Sequence, residues 1–189
     1  AASDVYKRQV VVPTLRLVRD LPNFDKEAVL EKCSEFFYID EKEGTDTMEE
    51  DLKKLYDEGK KAFGFYCGKG EWFLLTLKNI DIMSQMLPNV SKASQSLDVS
   101  VLHTLILEKI FGIDKENMAK QINLTYTKFF TEAIDGVDKG EFQCSFVLNP
   151  TRVTEIRDVA AAGEKMPQKS TYFYPKMITG MVMNNLGVD

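Results

Sequence analysis

The chain has 189 residues, a net charge of −5, 44% hydrophobic and 28% charged residues, proportions that exclude disordered and collagen-like classes and allow one domain with a sizeable core. The mild acidic balance argues against sequence-independent nucleic-acid binding, and no run approaches the roughly eighteen apolar residues of a membrane span. Cys33, Cys67 and Cys144 are odd in number, widely spaced and set in apolar patterns, which fits neither a disulfide framework nor a zinc site and points to a reducing cytoplasm.

Residues 1–9 have no amphipathic logic and read as a non-native leader; a single domain is expected over 10–189, the C-terminal part of a longer protein, with an internal boundary near 88–97. The β-branched run at 10–18 is broken by Pro13, which suggests a strand at an edge or one entered just after the proline. Asp25 caps a helix whose apolar face is Val29, Cys33, Phe36 and Phe37. Thr47 and Glu50 form a capping-box pattern for a second helix with Met48, Leu52, Leu55 and Tyr56 inward and Gly59 at its end. The dense acids and lysines across 40–61 read as a solvated face. Two aromatic and aliphatic runs at 62–67 and 72–77, joined through Gly68-Lys69-Gly70, predict a β-hairpin buried on both faces.

Asp98 caps the clearest helix of the second half, with Val99, Leu102, Leu105, Ile106 and Ile110 as its stripe and Gly112 beyond. The sole histidine, His103, lies on it; with no local partner for base chemistry, a packing or surface role is the expectation. Ile122, Leu124 and Tyr126 mark a strand, and Phe130, Ala133, Ile134 and Val137 a short helix. Phe142, Cys144, Phe146 and Leu148 alternate as a half-buried strand. Asn149-Pro150 opens a helix bearing Val153, Ile156 and Ala160 that Gly163 ends, and 177–186 reads as a last strand. The mixture predicts an α+β fold, a mixed or mostly antiparallel sheet with helices packed over it.

The loop from Gly163 to Gly180 serves neither helix nor strand. Lys165, Lys169 and Lys176 with Ser170 and Thr171 compose a candidate phosphate or carboxylate site, walled by Tyr172, Phe173 and Tyr174. Gly163, Gln168, Lys169 and Ser170 nearly spell a P-loop, but a helix precedes the segment and Pro175 blocks one after it, the reverse of the required context. The competing reading is a solvated loop whose aromatics plug the core.

Leu97-Asp98-Val99-Ser100-Val101-Leu102-His103, Phe111-Gly112-Ile113-Asp114, the block from Met166 to Lys176 and Thr179-Gly180-Met181-Val182 resemble the C-terminal half of the bacterial family called domain of unknown function 1015, often labelled ParB-like. Pro13-Thr14-Leu15-Arg16 resembles the Pro-Thr-His-Arg that opens that half, with Leu15 in place of the histidine; on this basis Arg16 joins the candidate ligand-binding residues. ParB-like folds include kinases that phosphorylate free serine, and the family's Asp-Gly-His-His-Arg motif falls upstream of this segment. The resemblance thus implies a cytoplasmic phosphoryl-transfer or phosphate-ligand protein that takes a small anionic molecule, with ATP or another phosphoryl donor and Mg as implied cofactors of the full-length protein. A non-catalytic ParB-like regulator or scaffold is the alternative.

Overall fold

Pro13 lacks the amide a continuous ladder needs, and it divides the β-branched run between two sheets. In the computed structural model, which describes residues 10–174, β1 (Val10–Val12) pairs with β8 (Tyr172–Tyr174), whereas β2 (Leu15–Val18) enters a six-stranded sheet. That sheet is ordered β3 (Phe37–Glu43), β5 (Glu71–Leu77), β4 (Ala62–Gly68), β7 (Cys144–Val147), β2, β6 (Leu124–Thr127), with every neighbouring pair antiparallel. The helices are α1 (Lys26–Cys33), α2 (Met48–Asp57), α3 (Ile82–Met86), α4 (Lys92–Gln95), α5 (Asp98–Val101) continuing as a π-helical segment (Leu102–Ile110), α6 (Lys115–Lys120), α7 (Phe130–Asp138) and α8 (Val153–Ala161). The fold is therefore α+β with a mostly antiparallel sheet, as the mixed pattern predicts.

Strand alternation assigns the two faces of the large sheet. Gly64 of β4 lies under α2, so close that a Cβ there would sit 2.9 Å from the Met48 sulfur. Two residues on, the Tyr66 hydroxyl donates to Asp138 of α7 at 2.6 Å, and Leu17 of β2 meets α7 at Gly136. The opposite face carries Phe65 stacked on Phe146 with ring centroids 5.0 Å apart, and Phe111, just past the π-helical segment, packs on Phe146 at 5.7 Å. Arg16 alternates with Leu15 and Leu17, so it belongs to this second face, opposite Tyr126 on one side and Phe146 on the other.

Several local expectations hold. Asp25 accepts from the Ala28 amide, and Gly163 ends α8 at φ 74°. The hairpin turns through Lys69 and Gly70, both at positive φ as a type I′ turn requires. Others do not. The helix after Asp25 stops at Cys33, and Phe37 instead opens β3, whose charged residues sit on an exposed sheet edge. No capping box forms at Thr47, whose backbone is already helical. Asp98 is the first residue of its helix rather than its cap, and its carboxylate lies 2.8 Å from the Lys61 ammonium. Asn149 and Pro150 do not open α8: the Asn149 amide is committed to the Leu52 carbonyl, and the Glu155 carboxylate accepts from the Arg152 amide at the real start. β7 is buried on both faces rather than one, because it is interior and covered on each side. The predicted strand at 177–186 lies outside the described residues.

Candidate functional site

The π-helical segment, α6, β6 and the loop after α8 enclose a cavity of about 450 Å³, a size suited to a small molecule. His103 and Thr104 come from the π-helical segment, Lys115 from α6, Tyr126 from β6, and Lys165 and Gln168 from the loop. A π-helical stretch widens the turn and is frequent at functional sites; here the Phe111 amide reaches back five residues to the Ile106 carbonyl at 3.0 Å. Nothing in the apolar stripe at 99–110 singles out that wider turn.

The loop is tied at both ends. The Glu164 carboxylate accepts from the Ser91 amide and hydroxyl, each at 2.7 Å, and from the Ser94 hydroxyl, anchoring it to the start of α4. These bonds, Ser94 first, hold its carboxyl below the ordinary range. Farther on, the Lys169 carbonyl accepts from Arg16 Nη2 at 3.2 Å, and the Ser170 carbonyl accepts from the Thr151 hydroxyl at 3.2 Å. Lys169 itself adopts φ 53°.

Arg16 is fully buried, at 0% exposure, on the interior strand β2. Its guanidinium donates to the Thr14 and Lys169 carbonyls, lies 3.0 Å from His103 Nε2 and sits 5.5 Å from the Tyr126 ring centroid. Its Nε has no hydrogen-bond partner and the group is in no ion pair among the described residues. Burial lowers its pKa to about 10. A guanidinium only donates, so His103 Nε2 must be the acceptor and the ring proton resides on Nδ1. Burial first, and the Arg16 charge second, push the His103 pKa down to about 3, so the imidazole is neutral. Burial likewise raises the Tyr126 phenol, keeping it a neutral hydroxyl.

The sequence-predicted site residues fall into three groups. Lys165 lines the cavity, and Arg16 stands one side chain behind it. Lys169 contributes its carbonyl to Arg16 while its side chain is exposed; Ser170 is buried at 4% exposure, and Thr171, Tyr172 and Phe173 are half-buried. Tyr172 to Tyr174 form β8, with the Lys128 ammonium 4.6 Å from the Tyr172 ring centroid. These residues from 169 to 174 are not part of the cavity wall, and Lys176 lies outside the described residues. Sequence reasoning missed Lys115, Glu108 and Tyr126 as wall residues, which no motif marks, and gave His103 a packing or surface role because its partner is 87 residues away.

Lys115 and Lys165 are exposed and in no ion pair among the described residues, so their ammonium groups suit an anion. No group of three His, Cys, Asp or Glu that would hold a metal occurs among the described residues. The thiols are no better placed for chemistry: burial raises Cys33 and Cys67 to about 12 and Cys144 well above its ordinary value. No described helix is long and apolar enough to cross a membrane.

Residues 5–100 match the family described as protein of unknown function (DUF1015). A search of curated proteins returns no match. Among solved structures, the chain is similar to a conserved hypothetical protein from Pyrococcus furiosus at 19% identity and TM-score 0.48, over 87% of this chain and 56% of that one. It is also similar to mutants of a free serine kinase in complex with AMP, at 14% identity and TM-score 0.46, and with ADP, at 14% identity and 0.47, each over 87% of this chain and 54% of that one. The chain thus spans little more than half the length of the solved structures it matches.

Proposed function

We propose that this chain, which belongs to the DUF1015 family, binds a small phosphate- or carboxylate-bearing molecule in the cavity between the π-helical segment and the loop after α8, as the C-terminal part of a phosphoryl-transfer or phosphate-ligand protein. One observation carries the reading: a cavity of about 450 Å³ has on its wall two ammonium groups, Lys115 and Lys165, that are in no ion pair among the described residues. Two acids share that wall: Glu164, whose carboxylate accepts from the Ser91 amide and the Ser91 and Ser94 hydroxyls, and Glu108, whose carboxyl burial raises, partly offset by Lys115. Phosphoryl transfer asks a protein mainly for positioning and neutralisation, so a wall of this kind contributes without a nucleophile of its own. The residues fit the anionic end of a nucleotide, which Lys115 and Lys165 would hold; a phosphoryl donor would supply the transferable group, and this chain's part is to orient and neutralise it.

Isothermal titration of the protein with pyrophosphate and ADP tests the assignment. Lys115→Ala with Lys165→Ala should weaken binding by roughly tenfold or more, since each ammonium makes a charge-assisted contact. Unchanged affinity in the double variant overturns the reading.

A second reading, a non-catalytic regulatory or scaffold module, draws on how thoroughly the loop is built into the fold: the Lys169 and Ser170 carbonyls both accept from other elements, and Ser170 is buried. It predicts that loop substitutions lower the melting temperature and that no anionic probe binds.

A further inference from the structure

A guanidinium withdrawn from water without a carboxylate is costly, and a fold retains one only where something offsets it. Arg16 is in that position. Every group that accepts from it, the Thr14 carbonyl, the Lys169 carbonyl and His103 Nε2, is neutral, and its Nε has no partner among the described residues. The two side chains flanking the guanidinium, His103 and Tyr126, are also cavity wall. Among the described residues this buried positive charge has no acidic partner, and it lies directly behind His103 and Tyr126 on the cavity wall, on which Lys115 and Lys165 are exposed.

We propose that Arg16 is a positioning residue that makes the His103–Tyr126 end of the cavity the seat of the ligand's anionic group, by fixing His103 as the Nδ1–H tautomer and backing that donor with a buried positive charge. The inference rests on the anionic-ligand reading above and specifies which end of the site the anion takes. With Nε2 occupied by Arg16, Nδ1 is the remaining ring nitrogen and carries the proton, so the imidazole serves as a hydrogen-bond donor and not as a base. The Tyr126 hydroxyl offers a second neutral donor. Neutral donors backed by a charge in a medium of low dielectric stabilise an anion more than the same groups in water. Lys115 and Lys165, exposed on the same wall, would add charge-assisted contacts to that group.

Because His103 is the sole histidine of the chain, long-range proton–nitrogen correlation spectra of the uniformly labelled protein report its tautomer without ambiguity. The expected result is a neutral Nδ1–H imidazole at pH 7, with inorganic phosphate or pyrophosphate moving Nδ1 more than Nε2. Arg16→Lys retains charge but lacks the fork that reaches His103 and two carbonyls together; it should give mixed tautomers and weaken pyrophosphate binding by roughly tenfold or more. If that variant does not fold, the spectra of the unmodified protein with and without pyrophosphate decide the matter alone. An Nε2–H tautomer, a protonated ring at pH 7, or probe binding that moves neither nitrogen overturns the inference. If pyrophosphate binds and the lysine double variant weakens it while His103 stays still, the anionic-ligand reading stands and this inference falls. If neither probe binds, both fall.

Discussion

Lowering the pH from 7 to 5 should destabilise this protein through one side chain. His103 has a folded pKa of about 3, depressed by burial and by Arg16, against an ordinary value of 6.5. The unfolded chain therefore takes up the proton first, so the stabilisation is fully present above about 6.5 and is lost as the pH falls toward 3. With those two values, the linkage relation gives a loss of about 1.9 kcal/mol between pH 7 and pH 5. Asp98 and Glu108, whose carboxyls are raised chiefly by burial, work in the opposite direction as the pH falls, so wild type alone would understate the effect. His103→Gln removes the titration and keeps an acceptor for Arg16 at the position of Nε2, while leaving both carboxyls in place. Urea denaturation of the two proteins at both pH values isolates the histidine contribution, expected as a melting-temperature difference of about 4–8 °C in a parallel thermal scan. If wild type and His103→Gln lose the same stability between pH 7 and 5, His103 is solvated in the fold and the buried Arg16–His103 pair is not as described.

Three further outcomes follow from the packing. Lys61→Met strands the Asp98 carboxylate, which is 8% exposed and 2.8 Å from the lost ammonium; it should cost about 3 kcal/mol, with much of that recovered by adding Asp98→Asn, as a double-mutant cycle would show. A cost below about 1 kcal/mol would mean that solvent screens the pair. Lys69→Asn places the preferred Asn-Gly at a hairpin position of φ 59° and should raise stability by about 0.5–1 kcal/mol in chemical denaturation. Cys33, Cys67 and Cys144 should resist a thiol reagent at pH 8 until denaturant is added, because burial keeps each thiol protonated.

What the sequence made legible is what is local. The hairpin at 62–77, the start of α1 at Asp25 and the end of α8 at Gly163 each depend on residues within one turn of one another, so composition and spacing expose them. β3 escaped because it is an edge strand: Asp40, Glu41, Lys42 and Glu43 meet solvent, and their charges hide the alternation that Phe37 and Ile39 begin. The cavity escaped for a different reason, since His103, Lys115, Tyr126 and Lys165 come from four separate segments and no spacing rule joins them.

The burial of Arg16 is set by its place in the sheet and not by its neighbours in sequence. In an alternating strand a charged side chain marks the wet face, and that inference is sound for an edge or a half-exposed sheet. β2 lies between β7 and β6 with both faces covered, and Leu15, Leu17 and Val18 are each no more than 3% exposed. The cation consequently has no route to water, and its charge must be met by carbonyls, an imidazole and an aromatic face within the protein. An arginine in an interior strand, lacking an acidic partner among the described residues, marks the place where the fold leaves an electrostatic demand open, and the cavity beside it that could meet that demand is the one walled by His103 and Tyr126.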